Sequence, residues 1–392
     1  MSPAITKSLV QVYVLPAMTY GLEALRLTTT ELEEIESYYR SLLRMLQSLP
    51  TSTAKPAVYL MIGCLPVSAV IHRKILTIFA TIITRSGTPE ADVINRQLTV
   101  KDLNSNSWTV QVRELLQQYN LPMALELANK PPDIGKWKKL VKKKVETYWQ
   151  EKLVKEAESM KTLQFLNLRM CNFEDGHPVW ATGNDPRQVP MAAVRAQILT
   201  GRYALTGHSC SGKRKVQKCP YCEADESETM SHFILRCQLH EDPRNRYIDQ
   251  IEERTEKNVR QLTEEAKLAV LIDPSRLTNS RKLAEELEAI ARSTHFKMHH
   301  KRAVADGRGS MQTWATRRAK GTILAKRAPK AVDTKRAPKE ADVSRAQKEA
   351  DEKRAPIEAD KYRASHEADE ANENRATKEA DVGGKEPDNR QP

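Results

Sequence analysis

The sequence predicts a mainly α protein: a helical bundle, then a small CCHC (Cys-Cys-His-Cys) module with flanking helices, then a disordered repeat tail. Three observations predict this order. Apolar residues recur three and four positions apart in the first hundred residues, three cysteines and a histidine crowd into positions 219–237, and a nine-residue repeat fills the C-terminal end. We expect a helical region at 1–100, a basic connector at 101–190, the module at 191–302 and the tail at 303–392.

Three helices are predicted in the first region. Thr30 and Glu33 form a capping-box pattern ahead of a helix over 30–49. A short helix over 56–63 begins at a proline and ends at a glycine, as helices often do. A third helix follows over 67–85 with isoleucine and valine on one face, so the three can share a core.

The connector contains one strong helix pattern. Residues 86–107 are polar and are predicted to form a connection, and a short helix is predicted over 108–119. From Lys136 onward, an aromatic and valine stripe faces one way and lysines face the other. The lysines expected to contact nucleic acid are Lys138, Lys139, Lys142 and Lys143. Residues 163–180 surround an Asp-Gly pair, which indicates a small hairpin.

Helices are also predicted around the cysteine cluster. One covers 191–200 and ends at Gly201, and others cover 243–257, 261–272 and 279–300. His295 and His299 lie four apart on the last of these, and without a third ligand nearby they are interpreted as surface histidines.

The tail is a repeat of near-balanced charge. Arg-Ala begins units at 327, 336, 345, 354 and 363, and a last copy begins at 375. Nine residues turn a helix by two and a half turns, so equivalent side chains alternate between opposite faces and no continuous apolar stripe forms. With 13 bases and 14 acids over 327–381, the tail is predicted to stay disordered.

Charge and composition limit the classes of partner and the cellular compartments that we expect for this chain. The chain carries a net charge of +12, and residues 1–326 hold a net +13, which favours nucleic acid or another polyanion. Six cysteines are too few for a disulfide scaffold of this length, and their clustering favours a metal in a reducing compartment. We find neither a secretory signal in residues 1–20 nor a membrane span, so a nuclear or cytoplasmic location is expected.

The cluster Cys219, Cys222, His232 and Cys237 has the spacing of a zinc site. Two thiolates two residues apart can both point at one ion, and the histidine and last cysteine complete a tetrahedron. Residues 228–236 look helical, so His232 and Cys237 meet only if that helix loosens near its end. One structural zinc ion is predicted.

Other assignments of these residues remain open. Cys210 is the main rival ligand, with His208 and His240 also near in sequence. The four residues would otherwise be buried thiols beside a core histidine. Phe233 is predicted to be the small core of the module rather than a base-stacking ring.

Basic and aromatic side chains surround the cluster and are expected to hold nucleic-acid phosphates or bases. These side chains are Lys213, Arg214, Lys215, Lys218, Tyr221 and Arg236. Two simpler interpretations remain: Tyr221 acts as a lid on the module, and the lysine face after position 136 is merely solvated.

Several segments, in this order, resemble the C-terminal part of reverse transcriptases from non-LTR (LINE-type) retrotransposons. The first three are VLPAMTYGLEAL (14–25), LLRMLQSLP (42–50) and AVYLMIGCLPVSAVIHRKIL (57–76). They are followed by HPVW (177–180), RAQILTGRYAL (195–205) and CPYCEADESETMSHFILRC (219–237). The resemblance covers about residues 8–240. It implies a thumb-like helical region followed by a zinc knuckle, with the four cluster residues as zinc ligands.

The resemblance does not extend to the catalytic residues of the family. The polymerase aspartates of the family have no equivalent here, and after Cys237 the Pro-Asp element of the family's endonuclease appears only as Pro387-Asp388, without its acidic-x-Lys partner. The chain is therefore expected to be non-enzymatic and to bind RNA or DNA through contacts with the nucleic-acid backbone. No small-molecule substrate and no membrane partner are expected. The alternatives are a structural or protein-interaction zinc module of a degenerate element, or activity that needs a separate catalytic chain. The sequence does not indicate an oligomeric state.

Overall fold

The computed structural model describes residues 3–102, 104–183, 185–205 and 218–306. These residues belong to one compact unit that is mainly helical, and they contain no β-strand apart from one isolated bridge. The mainly α prediction is confirmed for this part of the chain. The predicted disordered tail at 303–392 lies outside the described residues from position 307 onward.

The α-helices of the first half are α1 (Pro3–Leu9), α2 (Leu15–Met18), α3 (Thr29–Leu46), α4 (Lys55–Ile62), α5 (Val67–Ile83), α6 (Pro89–Val100), α7 (Trp108–Gln118), α8 (Ala124–Asn129) and α9 (Ile134–Glu158). A π-helical turn, Val10–Val14, joins α1 to α2. The remaining α-helices are α10 (Gln188–Leu199), α11 (Glu241–Thr255), α12 (Glu264–Ile272) and α13 (Arg281–Ala305).

The three predicted helices of the first region are present. α4 ends at Gly63, whose φ of 70° is the left-handed conformation that glycine accepts without strain. The predicted cap of α3 is wrong, because the capping box is formed by Thr28 and Glu31 two residues earlier. Glu33 instead pairs with Arg40 at 2.6 Å.

A helix that the sequence analysis missed is α6, in the segment predicted to be a polar connection. Thr88 accepts a hydrogen bond from the Ala91 amide, and Pro89 occupies the first helical turn. Ala91, Ile94 and Leu98 are buried at helical spacing, so a narrow apolar stripe is enough to hold this helix on the core.

The helix α9 packs its stripe of large side chains against α4 and α5. Trp137, Val141 and Val145 are buried, as predicted, and the indole Nε1 of Trp137 donates to the Leu76 carbonyl at 2.9 Å. Helices from the predicted 1–100 and 101–190 segments therefore share one core.

The predicted hairpin at 163–180 is wrong. The segment forms three short 3₁₀ turns, Lys161–Leu163, Leu168–Met170 and Pro178–Trp180. Its carbonyl groups are satisfied by arginine side chains rather than by a partner strand. Arg276 donates to the carbonyls of Gln164 (2.7 Å) and Phe165 (3.1 Å). Arg281 donates to those of Met170 (3.1 Å) and Gly176 (2.7 Å), and Arg292 donates to those of Val179 (3.1 Å) and Ala181 (3.1 Å).

The helices around the cysteine cluster match the prediction closely. α13 packs against α10 and α11, and a break at Pro274 separates α12 from α13 as expected. No single helix among the described residues is long and apolar enough to cross a bilayer, and only the pair α4 and α5, bent by 67°, meets that test on length and composition.

Candidate metal centre

The first half of the cluster is a loop closed on itself. Lys218 and Ser227 form an isolated antiparallel bridge, and the Cys219 amide donates to the Glu226 carbonyl at 2.8 Å. This closure holds Cys219 and Cys222 on the same short loop. Both thiols therefore face the helical turn that follows.

The second half is a widened helical turn, His232–Arg236, of the π type. Its hydrogen bond runs from the Cys237 amide to the His232 carbonyl, five residues back, at 2.8 Å. A turn closed over five residues brings positions 232 and 237 together, which an α-helix would not do. The expected loosening of the helix is thus present, and it begins at His232.

The four side chains converge. The ligand atoms of Cys219, Cys222, His232 and Cys237 all lie within 4.8 Å of one another, and Cys222 Sγ is 3.3 Å from His232 Nε2. A tetrahedral zinc site with roughly 2.3 Å Zn–S bonds has sulfur atoms about 3.7 Å apart, so the spacing suits one such ion. Three of the four side chains are buried, and all three thiols are free.

The surroundings of the thiols oppose their ionisation. Burial, together with the neighbouring Cys219 and Cys222 sulfurs, raises the pKa of Cys237 to about 12. Burial also raises the pKa of Cys219. A metal ion among the sulfurs would offset both burial and the repulsion between neighbouring sulfurs, because thiolates bind the ion directly. These donors fit a structural metal with four protein ligands.

No family model, curated protein or solved structure matches this chain. The case for the site therefore comes from its own geometry.

Of the rival ligands, His240 is the one that lies among the described residues, and it does not displace the predicted four. His240 is buried, but its ring packs edge-on against Phe233 at a centroid distance of 4.8 Å and lies outside the cluster. His208 and Cys210 lie outside the described residues. Phe233 is 1% exposed, which confirms it as the core of the module.

The interpretation of His295 as a surface residue is wrong. This histidine is 1% exposed and packs on Tyr247, and neither of its ring nitrogens has a hydrogen-bond partner among the described residues. His299 bonds through Nδ1 to the Tyr203 hydroxyl at 2.7 Å. Amphipathic spacing alone could not show this, because α13 is covered by α10 on one side and α11 on another.

The two predicted basic residues near the cluster that the structure describes, Lys218 and Arg236, are engaged within the chain. Lys218 pairs with Asp225 at 2.5 Å on the surface, and Arg236 pairs with both Glu226, at 2.9 Å, and Glu264. The Tyr221 ring stacks under the Arg302 guanidinium at 5.4 Å. Lys213, Arg214 and Lys215 lie outside the described residues.

The Tyr221 hydroxyl is also engaged, since it donates to the Asp306 carboxylate. Burial and this hydrogen bond raise its pKa above the ordinary value. Tyr221 therefore holds the cluster loop against the end of α13, which is the position of a lid.

The lysines of α9 present a different picture. Lys138, Lys139, Lys142 and Lys143 are all exposed; Lys139 and Lys143 lie opposite the buried stripe of α9, and Lys138 and Lys142 flank it. Lys138 and Lys142 line a cleft of about 680 Å³ between α9 and α5, to which Arg73 and Lys74 also contribute.

Glu226, Glu228 and Arg302 were not among the predicted site residues. Glu226 contacts His232, and Glu228 forms a buried pair with Arg302. Two carboxylates just before the histidine were visible in the sequence, but an arginine more than sixty residues away gave no signal.

Proposed function

We propose that Cys219, Cys222, His232 and Cys237 bind one structural zinc ion. We also propose that the chain binds the phosphate backbone of single-stranded nucleic acid, with little sequence preference. The convergence of three sulfurs and one imidazole nitrogen within 4.8 Å carries the metal part of the proposal. With four protein ligands there is no open position for water, so the ion organises the fold and performs no catalysis.

The nucleic-acid part is supported by charge. Residues 1–326 hold a net +13, and α9 carries four exposed lysines. Charges of this kind bind phosphates by releasing counterions, which makes the affinity strongly dependent on salt. The resemblance to the C-terminal region of LINE-type reverse transcriptases supports the same role, for a non-enzymatic chain in the nucleus or cytoplasm.

A specific observation favours a second candidate, a structural or protein-interaction zinc module. Tyr221, Arg236 and Lys218 all have partners within the chain. A module that uses its polar side chains to fasten itself to neighbouring helices has fewer left for phosphates. This candidate predicts zinc binding without nucleic-acid binding.

Metal analysis of the wild type and of Cys222→Ser tests the zinc site. We expect about one equivalent of zinc in the wild type and its loss in the variant, with local unfolding around 205–240 seen by hydrogen exchange. Equal metal content in the two proteins would refute the site.

Filter binding of zinc-loaded protein to single-stranded RNA tests the second part. The affinity should fall steeply between low and physiological salt, and replacing Lys213, Arg214 and Lys215 by alanine should flatten that slope. An affinity independent of salt would refute backbone binding. Zinc retention without RNA retention would favour the structural module.

A further inference from the structure

The two ring nitrogens of His232 have different surroundings. Nε2 lies 3.3 Å from Cys222 Sγ and therefore faces the sulfur cluster. Nδ1 faces away and lies 3.0 Å from Glu226 Oε2. A histidine that binds a metal through one nitrogen keeps its proton on the other, and that proton needs an acceptor. Glu226 provides the acceptor on the correct side of the ring.

Glu226 is itself held from several directions. Its Oε2 accepts a second hydrogen bond, from Arg236 Nε at 2.9 Å, and Arg236 also pairs with Glu264 at the start of α12. The backbone carbonyl of Glu226 accepts from the Cys219 amide, so one residue contacts both halves of the cluster.

Stabilisation through an exposed ion pair does not explain this arrangement. The Glu226 side chain is 44% exposed, and pairs of this kind contribute little to folding because solvent screens them. The contact can instead orient the ring of His232. This side chain is fully buried, and the direction of its ring decides whether Nε2 faces the sulfurs.

We propose that Glu226 is a positioning residue for the metal site: it holds His232 with the proton on Nδ1 and Nε2 toward the sulfurs. The inference rests on the proposed metal site and adds an outer carboxylate to it. Glu226 acts through His232 and does not contact the metal.

The test compares Glu226→Ala and Glu226→Gln with a matched control, Glu264→Gln. Glu264 accepts a hydrogen bond from Nη1 of the same arginine, and among the described residues no hydrogen bond or ion pair joins it to His232. Zinc affinity is measured by competition with a chromophoric chelator, and the protonated ring nitrogen of His232 is identified by ¹⁵N NMR of the zinc-loaded full chain. We expect Glu226→Ala to weaken zinc binding by about 10–100-fold.

Glu226→Gln keeps an acceptor oxygen without the charge, so its loss should be smaller and the Nδ1 proton should remain. Glu264→Gln should bind zinc like the wild type. Equal losses in the Glu226 and Glu264 variants would mean that the network is only structural and would overturn the inference. Unchanged affinity and an unchanged Nδ1–H signal in Glu226→Ala would also overturn it. A wild type that binds no zinc would instead overturn the proposed metal site, and the inference with it.

Discussion

Arg302 near the end of α13 reaches back through two hydrogen bonds to Glu228, which lies between Cys222 and His232 in the chain. Arg302 Nε lies 2.6 Å from Glu228 Oε1, and Nη2 lies 2.9 Å from Oε2. The Glu228 side chain is 1% exposed and that of Arg302 is 10% exposed, so the pair is shielded from solvent. Burial opposes the charge on Arg302, but Glu228 outweighs it and raises the pKa above the ordinary value.

Breaking this pair should be costly. We expect Glu228→Gln to reduce the free energy of unfolding by about 3–5 kcal/mol, because it leaves the arginine charge buried without its partner. Urea unfolding of zinc-loaded protein measures the loss. The double variant Glu228→Leu with Arg302→Met should lose much less than the sum of its single changes. Additive losses would show that the two side chains contribute independently.

The contact between Gly63 and Gly176 supports a second prediction. Both have φ of 70°, and a Cβ on Gly63 would lie 2.7 Å from the Gly176 amide nitrogen and from the Asn172 carbonyl oxygen. Gly63→Ala should therefore cost roughly 2–5 kcal/mol, since the strain of the left-handed conformation adds to a backbone clash.

Gly87→Ala is the matched control for this prediction. Gly87 has a φ of 81°, but nothing lies within 4 Å of the position its Cβ would take. Only the conformational cost remains there, about 1–2 kcal/mol. Thermal or urea unfolding of both variants separates the two contributions. Equal losses would contradict the close approach of the two backbones.

The buried His295 makes stability depend on pH. Burial, together with the positive Arg195 and the neighbouring His240, lowers its pKa well below 6.5. In the unfolded chain the imidazole gains a proton below about pH 6.5, whereas in the folded chain it does not. Stability is therefore lost as pH falls through this range, by up to about 1.4 kcal/mol per pH unit.

The variant His295→Phe keeps a ring against Tyr247 and removes the titration. Urea unfolding of both proteins between pH 6.5 and 5 measures the difference in slope, and this difference cancels the contribution of the metal ligands. We expect the variant to lose stability less steeply. Parallel curves would mean that His295 is protonated in the folded protein.

Local patterns in the sequence predicted most of the long helices and the grouping of the four cluster residues. α4, α5 and α9 follow from apolar spacing and from end signals such as Gly63, because these depend on neighbours in the chain. The convergence of the cluster followed from ligand spacing, once a loosened turn at His232 was allowed.

Interactions distant in sequence account for the errors. Thr28 and Thr30 both fit the capping-box pattern. Which of them caps α3 depends on Glu33, because Glu33 pairs with Arg40 and with Lys55 on the next helix. The failed hairpin depends on arginines about a hundred residues away. No local pattern reports such partners.

The exposed lysines of α9 allow the sharpest test of nucleic-acid binding. Replacing Lys138, Lys139, Lys142 and Lys143 by glutamine should weaken binding to single-stranded RNA at low salt. It should also reduce the slope of log affinity against log salt by about 0.7 for each phosphate that the variant no longer neutralises. Fluorescence anisotropy at a series of NaCl concentrations measures both quantities.

A second fourfold glutamine variant removes the same charge from other exposed positions, Lys101, Lys130, Lys282 and Lys297. If α9 contacts the phosphates directly, this control keeps the wild-type slope, because charges away from the binding surface release few counterions. If both variants flatten the slope equally, the attraction comes from overall charge and α9 is only a solvated basic surface. Zinc content should stay at one equivalent in both, since neither set touches the cluster.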